Sequence, residues 1–144
     1  MMTESEHWSA LVPELSVTDL EASLNFYRTV GFQVRFVRTS PPFAYLVLGD
    51  SQIMLEQAHS EGWVVGPLER PFGRGINLQI EVDNVQSTRA ALTSLGLQVF
   101  REPSDSWYQV SGAHEEGQRE LLVQDPDGYL LRFVQPLGRR SNER

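Results

Sequence analysis

The chain contains no cysteine. Disulfides, thiol catalysis and cysteine-ligated zinc are therefore excluded, and nothing points to an oxidising compartment. It also lacks any apolar run near the roughly 20 residues that cross a bilayer as a helix. The opening MMTESEHW has no apolar stretch of the secretory kind. Basic residues number 12 against 19 acidic ones, for a formal net charge of −7. No basic patch with interleaved aromatics occurs, so neither nucleic acid nor membrane is an expected partner, and a cytoplasmic location is expected. The surface field of such a chain suits solubility or a cationic ligand. Two catalytic signatures are missing as well. There is no G-x-S-x-G nucleophile elbow and no H-x-x-x-H metal pair. His7, His59 and His114 fall before the first strand and in two long loops, as ordinary surface histidines do.

What the chain does contain is a duplication. Residues 12–36, VPELSVTDLEASLNFYRTVGFQVRF, match residues 77–101, NLQIEVDNVQSTRAALTSLGLQVFR, at an offset of 65. Leu15 aligns with Ile80, Val17 with Val82, Leu20 with Val85, Gly31 with Gly96 and Val34 with Val99. Thr18 and Glu21 form an S/T-x-x-E box at the start of a helix, and Asp83 and Gln86 stand at the matching places. Leu20, Leu24, Tyr27 and Val30 recur at helical spacing, as do Val85, Leu92 and Leu95. Gly31 and Gly96 stand where a glycine closes a helix.

Strand signals flank each helix, at 10–17, 32–38, 43–49 and 52–57, then at 75–82, 97–101, 119–125 and 129–135. Each half reads as a βαβββ module, 10–57 and 75–135, joined by linker 58–74 within one domain spanning 1–144. The expected fold is α+β: paired modules forming a curved eight-stranded mixed sheet. Residues 102–118 read as a second long loop, and GRRSNER as a frayed tail. Alternation sorts the faces. Pro13, Leu15 and Val17, like Ile76, Leu78, Ile80 and Val82, should pack under the helices. Val12, Glu14 and Ser16, together with Asn77, Gln79 and Glu81, take the opposite, concave face. In DPDGYLLRF (125–133), Arg132 falls on the concave side, where a polar face is either solvated or part of a ligand cleft.

VPELSVTDLEASLNFYRTVGF, GRGINLQIEVDNV and DPDGYLLRF resemble the vicinal oxygen chelate superfamily of glyoxalases, extradiol dioxygenases and bleomycin resistance proteins. FAYLVLGDSQIMLEQ, GPLERPFGRGIN and LLVQDPDGYLLRFVQ, with Trp63 and the WY pair at 107–108, are most similar to the bleomycin resistance branch. PFGRG reads equally as a structural module crossing.

Catalytic members of this superfamily hold a divalent metal. The resemblance puts the corresponding positions at Val12, Asn77 and Arg132, with Glu56 the carboxylate candidate in the strand ending the first module. Valine has no donor, asparagine is a weak one, and arginine is a permanent cation without an acceptor. No metal and no cofactor are therefore expected, and no catalytic residue is assigned. Glu14, Glu81 and Arg132 are conceivable acid–base groups that no spacing selects.

The resemblance implies a metal-independent homodimer that sequesters a cationic, bleomycin-type antibiotic without turnover, in clefts at the subunit interface. The candidate ligand-binding residues are Phe36, Phe43, Trp63, Asn77, Trp107, Tyr108 and Arg132. The aromatics stack on planar rings or attract cations; packing in small satellite cores is the competing role. Arg132 has Glu56, Glu14 or the ligand as candidate partners. The alternatives are a glyoxalase-like lyase or isomerase, a dioxygenase, or a binder of another planar natural product.

Overall fold

Aspartate and asparagine, not the threonine box, start the two helices. In the computed structural model, which describes residues 7–142, Asp19 is the N-cap of α1 (Leu20–Thr29) and its carboxylate accepts from Ala22 N at 3.3 Å. Asn84 caps α2 (Val85–Ser94), accepting from Gln86 N and Ser87 N at 2.9 and 3.1 Å. Each cap falls one residue after the position expected from Thr18 and Asp83. Both helices receive a second, long-range cap. The Leu20 N–H donates to Gln57 Oε1 and the Val85 N–H to Gln135 Oε1, both at 3.1 Å. Each helix start is thus tied to the last strand of its own repeat, which satisfies an otherwise orphaned donor.

The chain divides into two compact units, through Phe72 and from Gly73. In the first, β1 (Glu14–Val17), β2 (Gln33–Thr39), β3 (Pro42–Leu48) and β4 (Ser51–Gln57) form a sheet of order β1-β4-β3-β2, parallel at β1–β4 and otherwise antiparallel. Leu15, Val17, Ala44, Leu46, Ile53 and Leu55 are buried, and so is the α1 stripe Leu20, Leu24, Tyr27. In the second, β5 (Asn77–Glu81), β6 (Arg101–Ser111), β7 (His114–Gln124) and β8 (Leu130–Ser141) repeat the arrangement as β5-β8-β7-β6. Ile80, Leu121, Val123, Leu131 and Phe133 are buried there, as are Val85 and Leu92 of α2. The eight strands are hydrogen-bonded as two four-stranded mixed sheets, each with one helix, an α+β arrangement.

Four expectations change. Residues 102–118 are not a loop but most of a long β6–β7 hairpin. Its polar alternating sequence disguises it, because little of it is buried. The expected strand at 97–101 contributes only its last residue, as β6 begins at Arg101. The tail does not fray at 138: β8 runs to Ser141, with Arg139 and Arg140 paired opposite Glu116 and Glu115 of β7. Ile76 lies outside β5 and is 58% exposed, so the apolar row under α2 begins one strand step later. The opening MMTESE and the last two residues of the tail lie outside the described residues. Among the described residues, no helix is long and apolar enough to cross a membrane.

Candidate functional site

The DPDG turn sets the facing of β8. Asp125 Oδ1 accepts from Asp127 N and Tyr129 N at 2.9 and 3.0 Å, and Gly128 (φ 99°) closes the turn with its N–H on Asp125 O. Gly128 supplies the left-handed φ that such a turn needs. From there alternation turns Leu131 and Phe133 toward the core and Arg132 away from it.

Within its own unit, Arg132 pairs with Glu120. Its Nη1 donates to Glu120 Oε2 of the adjacent strand β7 at 3.1 Å. Tyr108 Oη donates to the same carboxylate, 2.8 and 3.0 Å from its two oxygens. Glu120 is 8% exposed, and the two neighbours supply the hydrogen bonds that a buried carboxyl needs. The Arg132 Nε, though buried, has no hydrogen-bond partner. These side chains line a cavity of about 270 Å³ together with Asn77, Arg101 and Ser104. Of the sequence candidates, Asn77, Tyr108 and Arg132 therefore come together. Trp107 does not join them. It packs against Gly117, with the Arg140 guanidinium 3.9 Å from its ring centre.

The first unit gathers the other candidates in two groups. A register shift in β2 between Val34 and Phe36 sets Phe36 opposite Tyr45 and Arg38 opposite Phe43. Phe36 stacks on Phe43 and Tyr45 at 5.8 and 5.3 Å, and Trp8 meets the edge of this row. Arg38 lies 4.6 Å above Phe43, which is 4% exposed. Trp63 is 96% exposed and lines a cavity of about 300 Å³ with Glu14, Arg38, Glu56, His59 and Glu61.

Sequence reasoning did not select the polar members of this cavity as a site. Glu14 and Glu56 come from β1 and β4, paired in parallel with Ser16 opposite Glu56. The Glu56 carboxylate contacts His59 Nε2 at 2.5 Å. Partial desolvation, then the charge of Glu56 and a hydrogen bond shared with it, push the Glu14 carboxyl above the usual glutamate range, while Arg38 pulls it down. Glu14 was legible from strand alternation. The position of His59, in a loop, was not. Glu120 could have been found by extending β7's alternation outward from Leu122.

These geometries meet the comparisons with known proteins. The model of the Glyoxalase/Bleomycin resistance protein/Dioxygenase superfamily matches residues 9–133. The chain belongs to that superfamily. It is 29% identical over 136 residues to the lactoylglutathione lyase of Haemophilus influenzae, covering 88% of this chain and 92% of that one. Among solved structures it is similar to a bleomycin-binding protein complexed with bleomycin (TM-score 0.57, 22% identity, 89% and 98% of the two chains). It is also similar to a fosfomycin resistance protein from Listeria monocytogenes (TM-score 0.60, 15% identity, 91% and 94%). The superfamily groups glyoxalases, bleomycin resistance proteins and dioxygenases, and the solved structures bear on the fold alone.

The positions a superfamily metal would use do not suit one. Glu14 pairs with Met54 in β1–β4 just as Gln79 pairs with Arg132 in β5–β8, and 14 and 79 differ by the repeat offset of 65. The counterpart of Arg132 is therefore Met54, two residues before Glu56. A valine, a thioether, an amide and a guanidinium make a poor set for a hard dication. Glu120, the carboxylate nearest Arg132, is already bonded twice. Among the described residues, no group of three or more His, Asp or Glu is placed to hold a metal ion.

Proposed function

We propose that this protein binds and sequesters a cationic, bleomycin-type antibiotic in the cytoplasm, without metal or turnover, as a homodimer. The observation that carries the reading is the pairing of Glu14 and Glu56 beside the fully presented face of Trp63. Carboxylates supply the charge for an amine or amidine, and the indole takes a flat heteroaromatic ring or the cation itself. Stacking plus one cation contact gives about 1–2 kcal/mol in a wet site. The remaining affinity must come from a larger surface. A cavity of about 300 Å³ holds one end of a glycopeptide, not all of it, so the rest of the ligand lies on further surface. In this reading a second copy completes the cleft, and exposed Leu11, Val64, Val65 and Leu68 offer apolar surface for it. Within the first unit, Phe36 and Phe43 are the packed floor beneath Arg38; the cavity lined by Asn77, Tyr108 and Arg132 in the second unit is left to a different ligand. Trp107 then serves the β6–β7 hairpin.

A lyase or isomerase reading is favoured by the likeness to lactoylglutathione lyase. The ligand set around Val12, Met54, Asn77 and Arg132 weighs against the metal-dependent form of it.

Titration with bleomycin, read by tryptophan fluorescence and calorimetry, tests the proposal. Saturable quenching that Trp63→Phe abolishes is expected. No saturable signal at high micromolar ligand overturns the antibiotic, and light scattering that gives one chain's mass at micromolar protein overturns the dimer.

A further inference from the structure

All 12 basic residues of this chain are arginines, and two of them, Arg101 and Arg132, face the cavity of the second repeat. We infer that this cavity is a binding site for a small organic oxyanion, a carboxylate or phosphate carried on a short apolar group. The inference goes beyond the antibiotic reading, because it concerns a site of opposite charge in the other repeat.

The charge of the cavity wall favours an anion. Among the described residues, Glu120 is the sole acidic one lining the cavity, against two guanidiniums, so this wall carries a net positive charge in a protein of net charge −7. Glu120 makes no bond to Arg101 among the described residues. It already accepts from Arg132 Nη1 and from Tyr108 Oη. An anion entering here meets an unspent cation rather than a finished ion pair.

Donor geometry favours an oxyanion as well. The buried Arg132 Nε has no acceptor, an unusual state for a guanidinium nitrogen shielded from water. Arg101 is brought in by an irregularity of β6. Its register with β7 shifts between Arg101, opposite Leu122, and Ser104, opposite Glu120. Strict alternation from Ser104 and Ser106 would put Glu102 on the cavity side. Instead Glu102 bonds Arg89 of α2 at 2.6 and 2.7 Å, and Arg101 takes the cavity face. Re-aiming a side chain in this way is a recurrent use of strand bulges. Guanidinium forks match planar carboxylate and phosphate oxygens, and Ser104, Ser106 and Asn77 add further donors.

Size and apolar lining define the rest of the ligand. The volume, about 270 Å³, lies just below the roughly 300–1,000 Å³ usual for ligand sites. Leu122 and Leu130 give the non-polar wall. An oxyanion with a ring or short chain fits; a glycopeptide does not.

Calorimetric and amide-shift titrations of the full chain with benzoate, phenyl phosphate, inorganic phosphate and benzyl alcohol test the inference. Benzoate or phenyl phosphate is expected to saturate, more tightly than inorganic phosphate and more weakly as salt is raised. The tighter of the two identifies the oxyanion as carboxylate or phosphate. Arg101→Ala, at an exposed strand end, is expected to weaken binding about tenfold, or about 1.4 kcal/mol. Trp63→Ala is expected to leave it unchanged. Equal binding of benzyl alcohol, no saturation by about 10 mM of either organic anion, indifference to Arg101→Ala, or loss in Trp63→Ala would each overturn the assignment. Arg132→Ala strands Glu120 and can unfold the chain, so Arg101→Ala is the deciding variant.

Discussion

Arg132 and Glu120 face each other diagonally across β8 and β7, 3.1 Å apart, with Tyr108 closing the carboxylate from the third strand. The arginine stands at the repeat position of Met54, and it is committed to an internal acid rather than displayed on a solvated face. Glu120→Gln keeps the shape, preserves an acceptor for Tyr108 and removes the charge. It is expected to cost about 2 kcal/mol, read as a lower urea midpoint at unchanged m-value. An unaltered midpoint would show that the pair contributes nothing.

Gly117 admits Trp107 on a hairpin with no room to spare. A Cβ at 117 would stand 2.7 Å from the indole, and the Arg140 guanidinium lies 3.9 Å from the ring centre. Gly117→Ala is expected to destabilise by about 2 kcal/mol through overpacking, with a shift of the Trp107 emission. Full wild-type stability would mean that the hairpin opens freely.

Asp19 and Asn84, not Thr18 and Asp83, carry the helix caps. Asp19→Ala and Asn84→Ala should each cost about 1 kcal/mol in thermal or urea unfolding. Asp83→Ala should cost much less, and equal losses at 83 and 84 would refute the cap assignment.

The Glu14 carboxyl holds its proton more tightly when folded, through partial desolvation, the Glu56 charge and their shared hydrogen bond. Above the ordinary glutamate value, near pH 4.3, the folded state therefore binds more protons than the unfolded state. This group then makes stability fall as pH rises through the folded value. Glu14→Gln keeps a donor toward Glu56 and removes the titration. Its melting temperature should depend less on pH between about 4.5 and 7; a profile identical to wild type would exclude Glu14 as the source.

Metal retention offers the most direct check on the donor set. Protein loaded with nickel, zinc or manganese and desalted should hold far less than a stoichiometric amount by elemental analysis. Stoichiometric retention, abolished by Glu56→Ala, would reverse the conclusion.

Much of the architecture was legible because local physics repeats. The offset of 65 aligned two helices, and alternation correctly turned Leu15, Val17, Ile80, Leu131 and Phe133 inward. Period-2 and period-3.6 burial leave such marks wherever one face meets a core. The outer part of the β6–β7 hairpin, 102–118, left little mark, since most of its positions on both faces are polar and its pairing comes from backbone bonds and cross-strand charges such as Arg119–Asp105 at 2.8 Å. The threonine box lost to Asp19 because capping depends on which residue adopts the extended conformation just before the helix, and that depends on how β1 delivers the chain.

By itself, the sequence determined the duplicated βαβββ plan, the core faces and the side of β8 on which Arg132 emerges. Those follow from periodicity and from one glycine turn. Only the tertiary structure decided what Arg132 and Glu14 meet. Glu120 reaches Arg132 through strand register, Glu56 reaches Glu14 through a parallel pairing some 40 residues apart in the chain, and Arg101 enters its cavity through a bulge. Register and bulges are set by the summed packing of whole strands, so no short stretch of sequence encodes them.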